Sequence, residues 1–290
     1  MGCYLRPKGL EDAVAAMADG SYTVLAGGTD FYPARAGGLA GRPPESKVLD
    51  ITALDGLRGI AEEDDAFRVG ALTTWSDLLR APLPPYFAAL KLAAREVGGV
   101  QIQNAGTLCG NLCNASPAAD GVPPLLAMDA EVELASQVGS RRLALDDFIL
   151  GNRKTARRPD ELVTALYIPK PSPGARSTFL KLGARKYLVI SIVMAALLVD
   201  IDDKGNVAKA RVAVGSCAAR ALRLPAVEAA FEGRPFDEDL LPRIGEEQLV
   251  EPLGPLTPID DIRGTADYRR EAAVALLRRG VEALLSQEAA

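Results

Sequence analysis

Histidine is absent from all 290 positions, and this excludes more than any residue that is present. No Ser/His/Asp or Cys/His nucleophilic machinery can be assembled. Neither can a histidine-containing zinc or non-haem iron site, nor a flavin tethered through histidine. Cysteine is scarce: Cys3, Cys109, Cys113 and Cys217 lack the spacing of a disulfide framework. Cys109 and Cys113 form a C-x3-C pair with no second pair nearby, so small buried or loop thiols are expected and a metal site is not. Aromatic residues make up 5%, and the one tryptophan, Trp75, reads as packing. No apolar run is long enough for a membrane span, and no signal peptide is legible. Gly2 stands where a myristoyl acceptor would, but Arg6 replaces the Ser or Thr that modification needs. A cytoplasmic protein is the expectation. An excess of basic charge is also missing: 33 Lys and Arg face 38 Asp and Glu, for a net charge of −5. That balance argues against a general nucleic-acid binder.

What is present is a soluble globular composition, 48% hydrophobic with a mean hydropathy of +0.08. The length suits one large domain or two ordinary ones. Leu10, Ala13, Val14 and Met17 repeat at helical spacing before Gly20. Tyr22 to Ala26 reads as a strand that stops at Gly27-Gly28, and Lys47 to Ile51 as another. Leu57–Ile60 and Phe67–Val69 flank the acidic turn Glu62–Asp65 as a hairpin. Thr74 with Asp77 predicts a capping box for a helix ending near Pro82, and Phe87 to Val97 a further helix stopped by Gly98-Gly99. Strands are expected at Glu131–Ala135, Arg141–Leu145 and Leu162–Ile168. Pro169 to Gly174 is the clearest linker. Beyond it, strands are expected at Ser177–Leu182, Ile190–Ile201 and Ala208–Val214, the last two joined by the turn Asp202–Asn206. Helices are expected at Ala226–Phe231, Asp237–Leu249 and Tyr268–Leu285.

Two glycine segments carry the functional signal. In Ala26-Gly27-Gly28-Thr29-Asp30 a strand runs into paired glycines, which lets the backbone turn sharply and present consecutive N–H groups to an anion. It is neither a P-loop nor a GxGxxG fingerprint, and most Gly-Gly turns bind nothing. The second segment, within Val100 to Asp120, is poor in charge and rich in small residues and donors: Asn104, Thr107, Asn111, Asn114 and Ser116. Its composition predicts a loop, either one along which a diphosphate and ribitol chain could lie or one packing on itself.

Ala26 to Asp30, Gly106 to Leu112 and Ala115 to Asp120 together resemble the FAD-binding medium subunit of the xanthine dehydrogenase and carbon monoxide dehydrogenase family, the molybdenum hydroxylases. The likeness extends over nearly the whole chain, through Tyr4-Leu5-Arg6-Pro7, Phe179-Leu180-Lys181 with Arg185, Asp261-Ile262-Arg263 and Tyr268-Arg269. It implies an α+β fold: a two-part FAD-binding domain of the vanillyl-alcohol-oxidase type followed by a small C-terminal domain of antiparallel sheet and helices. The boundaries expected are 1–173, with subdomains of about 1–55 and 56–173, and 174–290. The resemblance implies that Ala26, Gly27, Gly28, Thr29 and Asp30, with Thr107, Leu108, Cys109, Gly110 and Asn111, hold the pyrophosphate and neighbouring atoms. Ser116 belongs to the same site. Asp120 would hydrogen-bond the sugar or adenine side, Lys181 would sit near the flavin, and Ile190 would pack on the isoalloxazine.

Three departures stand out. Gln103 replaces the family's usual Arg, Cys109 the first of two glycines, and Val189, after Leu188, an Asp. The lost acid bears on the electron acceptor more than on FAD binding. Asp64-Asp65 and Asp146-Asp147 read as exposed acidic turns. Arg141-Arg142 and Arg153-Lys154 with Arg157-Arg158 read as a solvated basic face. The implied function is a relay: a molybdopterin-binding large subunit oxidises the substrate, electrons cross [2Fe–2S] clusters on a small subunit, and FAD here passes them to NAD or another acceptor. No catalytic side chain and no metal ligand is expected on this chain. Two rivals remain, a free-standing flavin reductase or oxidase and a nucleotide-binding interaction module that has lost redox function.

Overall fold

The computed structural model describes residues 3–18, 22–36, 47–245 and 247–287; Gly2 and Gly20 lie outside the described residues. The first unit contains β1 (Tyr4–Leu5), α1 (Leu10–Met17), β2 (Tyr22–Leu25), α2 (Phe31–Ala36) and β3 (Lys47–Asp50). Its parallel sheet has the order β1-β3-β2. Ala13, Val14 and Met17 are all buried. Their shared face packs α1 against Leu49, Ile51, Leu54 and Leu57, which is what the 3.6-residue periodicity requires.

A second sheet follows, antiparallel, in the order β4-β5-β10-β6-β7. It is built from β4 (Ile60–Glu62), β5 (Ala66–Gly70), β6 (Glu131–Ser136), β7 (Gly139–Ala144) and β10 (Leu162–Pro169). Between β5 and β6 run α3 (Trp75–Arg80), α4 (Ala88–Glu96), α5 (Val100–Ala105), α6 (Leu108–Asn114) and α7 (Val122–Ala127). The short helix α8 (Leu145–Phe148) leads into a small hairpin, β8 (Ile149–Gly151) with β9 (Lys154–Thr155). The capping box forms as the spacing predicts: the Asp77 N–H donates to Thr74 Oγ1 at 3.1 Å and the Thr74 N–H to Asp77 Oδ2 at 3.0 Å.

The third sheet is antiparallel, β11 (Arg176–Leu182), β12 (Val193–Ile201), β13 (Val207–Gly215) and β14 (Leu222–Arg223), in sequence order. Four helices accompany it: α9 (Pro225–Phe231), α10 (Leu240–Ile244), α11 (Glu247–Val250) and α12 (Ala266–Leu285). Strand β12 is apolar on both faces, and the structure uses both. Met194, Ala196 and Leu198 join the core of the second unit, with Trp75, Phe87, Leu90 and Leu125. Val193, Ala195, Leu197 and Val199 join a separate core with Val227, Leu240 and Leu277. A strand buried on both sides reads as a continuous apolar run, which explains the loss of alternation here. Charged groups also cross the seam. Arg211 donates to Asp129 Oδ2 at 2.6 Å and to Asp200 Oδ2 at 2.9 Å, and Arg223 donates to Asp129 Oδ1 at 2.6 Å.

Several elements differ from expectation. The segment 100–120 is not a loop: α5 and α6 fold within it. Thr107 caps α6 by accepting from Gly110 N at 3.0 Å, while Leu108, Cys109 and Leu112 bury one face. Cap and burial together outweigh the weak helix propensity of Gly, Asn and Cys. The helix expected at Asp237–Leu249 is two, α10 and α11, separated at Gly245, whose φ of +75° no helix accommodates. The first hairpin strand begins at Ile60, not Leu57, and Ile190–Ile192 precede β12 without joining it.

Three carboxylates prepare the chain for acid sensitivity. Asp77 accepts from Arg58 at 2.9 and 3.0 Å, and Glu161 from Arg141 at 2.6 and 2.9 Å. Asp50 accepts from the Thr52 N–H at 2.9 Å and hydroxyl at 2.7 Å, and from the Tyr4 hydroxyl. Burial pushes each carboxyl up, but the hydrogen bonds outweigh it and hold all three below the usual carboxylate range. A depressed folded value contributes stability above the unfolded range, and that stability is lost as pH falls through the folded values. The urea midpoint of the apoprotein is therefore expected to hold between about pH 7 and pH 5 and to fall below about pH 4. An unchanged midpoint at about pH 3 would contradict this assignment.

Candidate functional site

Strand β2 delivers the chain into the turn Ala26 to Asp30, and α2 takes it away. Gly28 turns it, with φ +76°. The Tyr32 N–H donates to Gly28 O at 3.1 Å and the Ala34 N–H to Asp30 O at 3.2 Å, which fixes the exit. Gly27 has a different task. A Cβ there would lie 1.9 Å from Ala105 O and 3.0 Å from Gly106 Cα, so two backbones touch where only hydrogen fits. On Gly106, a Cβ would lie 3.4 Å from Thr29 Oγ1. The two glycine segments are thus neighbours in space. The N–H groups of Gly27, Gly28, Thr29 and Asp30 make no hydrogen bond to any described residue. A row of unpartnered amides in a tight turn is an anion cradle.

Helix α6 begins beside that turn. The Leu108 N–H is taken by Thr73 O at 3.1 Å and the Gly110 N–H by Thr107 Oγ1 at 3.0 Å, whereas the Cys109 N–H has no partner among the described residues. Gly110 sits on the helix with an ordinary φ; a Cβ there would come within 2.8 Å of Thr107 Oγ1 and disturb the cap. Asn111 Oδ1 is buried without a hydrogen-bond partner, and a Cβ on Gly121 would lie 3.0 Å from it. An orphaned buried acceptor beside free amides suits a ligand that carries both hydroxyls and phosphates. Burial pushes the Cys109 thiol well above its ordinary value, so it stays protonated near neutrality.

Ser116 shapes the next turn, accepting from the Ala118 N–H at 3.3 Å. Asp120 and Lys181, expected near different parts of one ligand, meet each other: Lys181 Nζ donates to Asp120 Oδ2 at 2.6 Å and to Glu96 O at 3.3 Å. Ser191 Oγ donates to Asp120 Oδ1 at 2.6 Å. Burial raises the Asp120 carboxyl, and Lys181 with Ser191 offsets only part of that rise. Ile190 lies on an exposed loop, 52% accessible. There Leu188 has φ +52°, and Arg185 Nε donates to Leu188 O at 3.1 Å.

Two site neighbours escaped the sequence reading. Asn114 Nδ2 donates to Asp30 Oδ1 at 2.9 Å, and Arg153 donates to Asn114 Oδ1 at 2.5 Å. By sequence alone Asn114 is one of several donors in its segment and Arg153 belongs to a solvated basic face. The available signal was Asn152-Arg153 between two short strands, since a hairpin tip is a fixed point. A cleft of about 450 Å³ opens elsewhere, between α12 and the segment 250–254, and contains none of the expected site residues. Among the described residues no cluster of His, Cys, Asp or Glu is placed to hold a metal ion.

Comparison with known proteins gives consistent results along the chain. Residues 1–171 match the family described as the FAD binding domain in molybdopterin dehydrogenase, and residues 178–284 match the CO dehydrogenase flavoprotein C-terminal domain. The carbon monoxide dehydrogenase medium chain of Afipia carboxidovorans is 32% identical over 96% of this chain and 95% of its own length. The xanthine dehydrogenase FAD-binding subunit of Escherichia coli is 30% identical over 92% of this chain and 90% of its own. Among solved structures, the reconstituted CO dehydrogenase from Oligotropha carboxidovorans superposes with a TM-score of 0.87 at 29% identity, over 99% of this chain and 98% of that one.

Proposed function

Since the chain belongs to the family of FAD-binding medium subunits of molybdenum hydroxylases, we propose that it is the flavin relay of a larger assembly. It is an FAD-dependent oxidoreductase subunit. In the proposed relay, electrons arrive from [2Fe–2S] clusters on a small subunit, supplied by a molybdopterin-binding large subunit, and leave to NAD or another acceptor. Bound FAD supplies one-electron acceptance and two-electron release. The observation that carries the reading is the contact between the two glycine segments beside unpartnered amides. Gly27, Gly28, Thr29 and Asp30 would bind the diphosphate from one side and Thr107 to Asn111 from the other. Asn111 Oδ1 would accept from a hydroxyl of the ribityl or ribose chain. Ala26 and Ser116 would shape the two ends of this channel. Asp120 and Lys181 would act there as one neutral pair, and Ile190 would cover an apolar part of the ring system.

The same proposal divides the chain at about residue 173, with parts at 1–55, 56–173 and 174–290. It places the protein in the cytoplasm, where four unpaired cysteines are at home. No helix among the described residues is long and apolar enough to cross a membrane. Coexpression with molybdopterin and iron–sulfur subunits is expected to give a complex that reduces NAD or a dye when substrate is added. The flavin-loaded chain alone should accept electrons from dithionite and leave the substrate untouched. Substrate oxidation by the isolated chain would sink the relay.

A further inference from the structure

Arg153 stands about 120 residues after Asp30 in the chain, yet one side chain separates them. Asn114 Nδ2 donates to Asp30 Oδ1 at 2.9 Å, and Asn114 Oδ1 accepts from Arg153 at 2.5 Å. We infer that Arg153 is a positioning residue for the glycine turn, acting through the Asn114 amide; this rests on the reading that the turn binds FAD.

The chemistry of the three groups makes the relay directional. A guanidinium only donates and a carboxylate only accepts. The amide between them satisfies both in one orientation alone, with its oxygen toward Arg153 and its nitrogen toward Asp30. The reversed amide would set two donors face to face at one end and two acceptors at the other. The donor character of Arg153 is thereby transmitted to Asp30, which ends the turn whose N–H groups are free. It also brings a positive charge close to the one carboxylate of that turn, which an anionic diphosphate would otherwise meet uncompensated. Tethering is independent of the side chain. The Arg153 N–H donates to Ala115 O at 2.8 Å, and both residues are in the left-handed region, at φ +53° and +46°. The hairpin tip therefore stays bolted to the end of α6 when the guanidinium is removed.

FAD titration of the full apoprotein, read by quenching of flavin fluorescence, tests the relay. Arg153→Ala is expected to raise the dissociation constant about tenfold, the scale of one charge-assisted hydrogen bond. Its thermal midpoint without FAD should stay within about 2 °C of wild type, as for a surface substitution. Arg153→Lys should stay within about threefold, keeping the donor and losing the fork. Arg153→Glu asks the amide to reverse and should cost more, about thirtyfold. Adding Asp30→Asn, whose amide can donate to a reversed Asn114, should recover part of that loss. In an Asn114→Ala background, Arg153→Ala should have no further effect. Wild-type affinity in both Arg153→Ala and Arg153→Glu overturns the inference and leaves FAD binding standing. Failure of the wild-type chain to bind FAD overturns the reading beneath it.

Discussion

Gly27→Ala is expected to raise the FAD dissociation constant about a hundredfold or more. The reason is geometric. The new Cβ would lie 1.9 Å from Ala105 O and 2.7 Å from Ala105 C, both backbone atoms that no rotamer change can move. Either the turn 26–30 lifts away from the end of α5 or α5 shifts, and either motion separates the free amides of the turn from the start of α6. Gly28→Ala is a weaker insult of another kind. The clash there is with the Tyr32 ring, which is 62% accessible and can swing outward. The cost left over is that of placing a Cβ at φ +76°, about 1 kcal/mol. Affinities measured by flavin fluorescence should rank wild type, Gly28→Ala, Gly27→Ala. Gly27→Ala binding FAD like wild type would separate the two glycine segments from the cofactor site.

Lys181→Met should cost about 3–5 kcal/mol of folding stability, the range for removing one partner of a buried ion pair. For a chain of this size that is roughly 10 °C of thermal midpoint. The side chains of Lys181 and Asp120 are 6% and 8% accessible, so solvent cannot screen what is left behind. Asp120 keeps Ser191 but loses the cation that opposed its burial. Its already raised carboxyl then rises further, so the deficit should be greatest above neutrality and shrink as pH falls and Asp120 becomes neutral. Lys181→Met with Asp120→Leu should regain much of the loss, because no buried charge remains. Unfolding midpoints at about pH 8 and pH 5 decide the matter. A single variant within about 2 °C of wild type at both would show the pair to be hydrated.

Local chemistry was legible in the sequence, and long-range chemistry was not. Thr74 and Asp77 announce a capping box because both partners lie within one turn of helix. Asp202 to Asn206 announces its hairpin for the same reason. Gly27-Gly28 was legible as a turn but not as a contact, since Ala105 lies far along the chain. The segment 100–120 was read as a loop from its Gly, Asn and Cys content. What tips it to helix is the Thr107 cap together with a hydrophobic face that enters the core of the second unit and meets β10, and propensity carries no record of that face. Asp120 and Lys181 could be assigned to a site by resemblance, but the 2.6 Å between them belongs to tertiary structure alone. Arg153 failed for the opposite reason. Among the six Lys and Arg residues at 141–142 and 153–158, nothing local distinguishes the one at a left-handed hairpin tip.

Strand β12 bears on how such a protein can be taken apart. Its two faces serve two cores, so cutting the chain in the 170–175 linker would release a C-terminal fragment with Phe179, Met194, Ala196 and Leu198 bared to water. The matching surface on the other fragment would lose its cover. Neither half is a portable module. Fusing this C-terminal part to a different flavin domain would transplant half an interior, and the product should precipitate unless the recipient offers the same apolar relief.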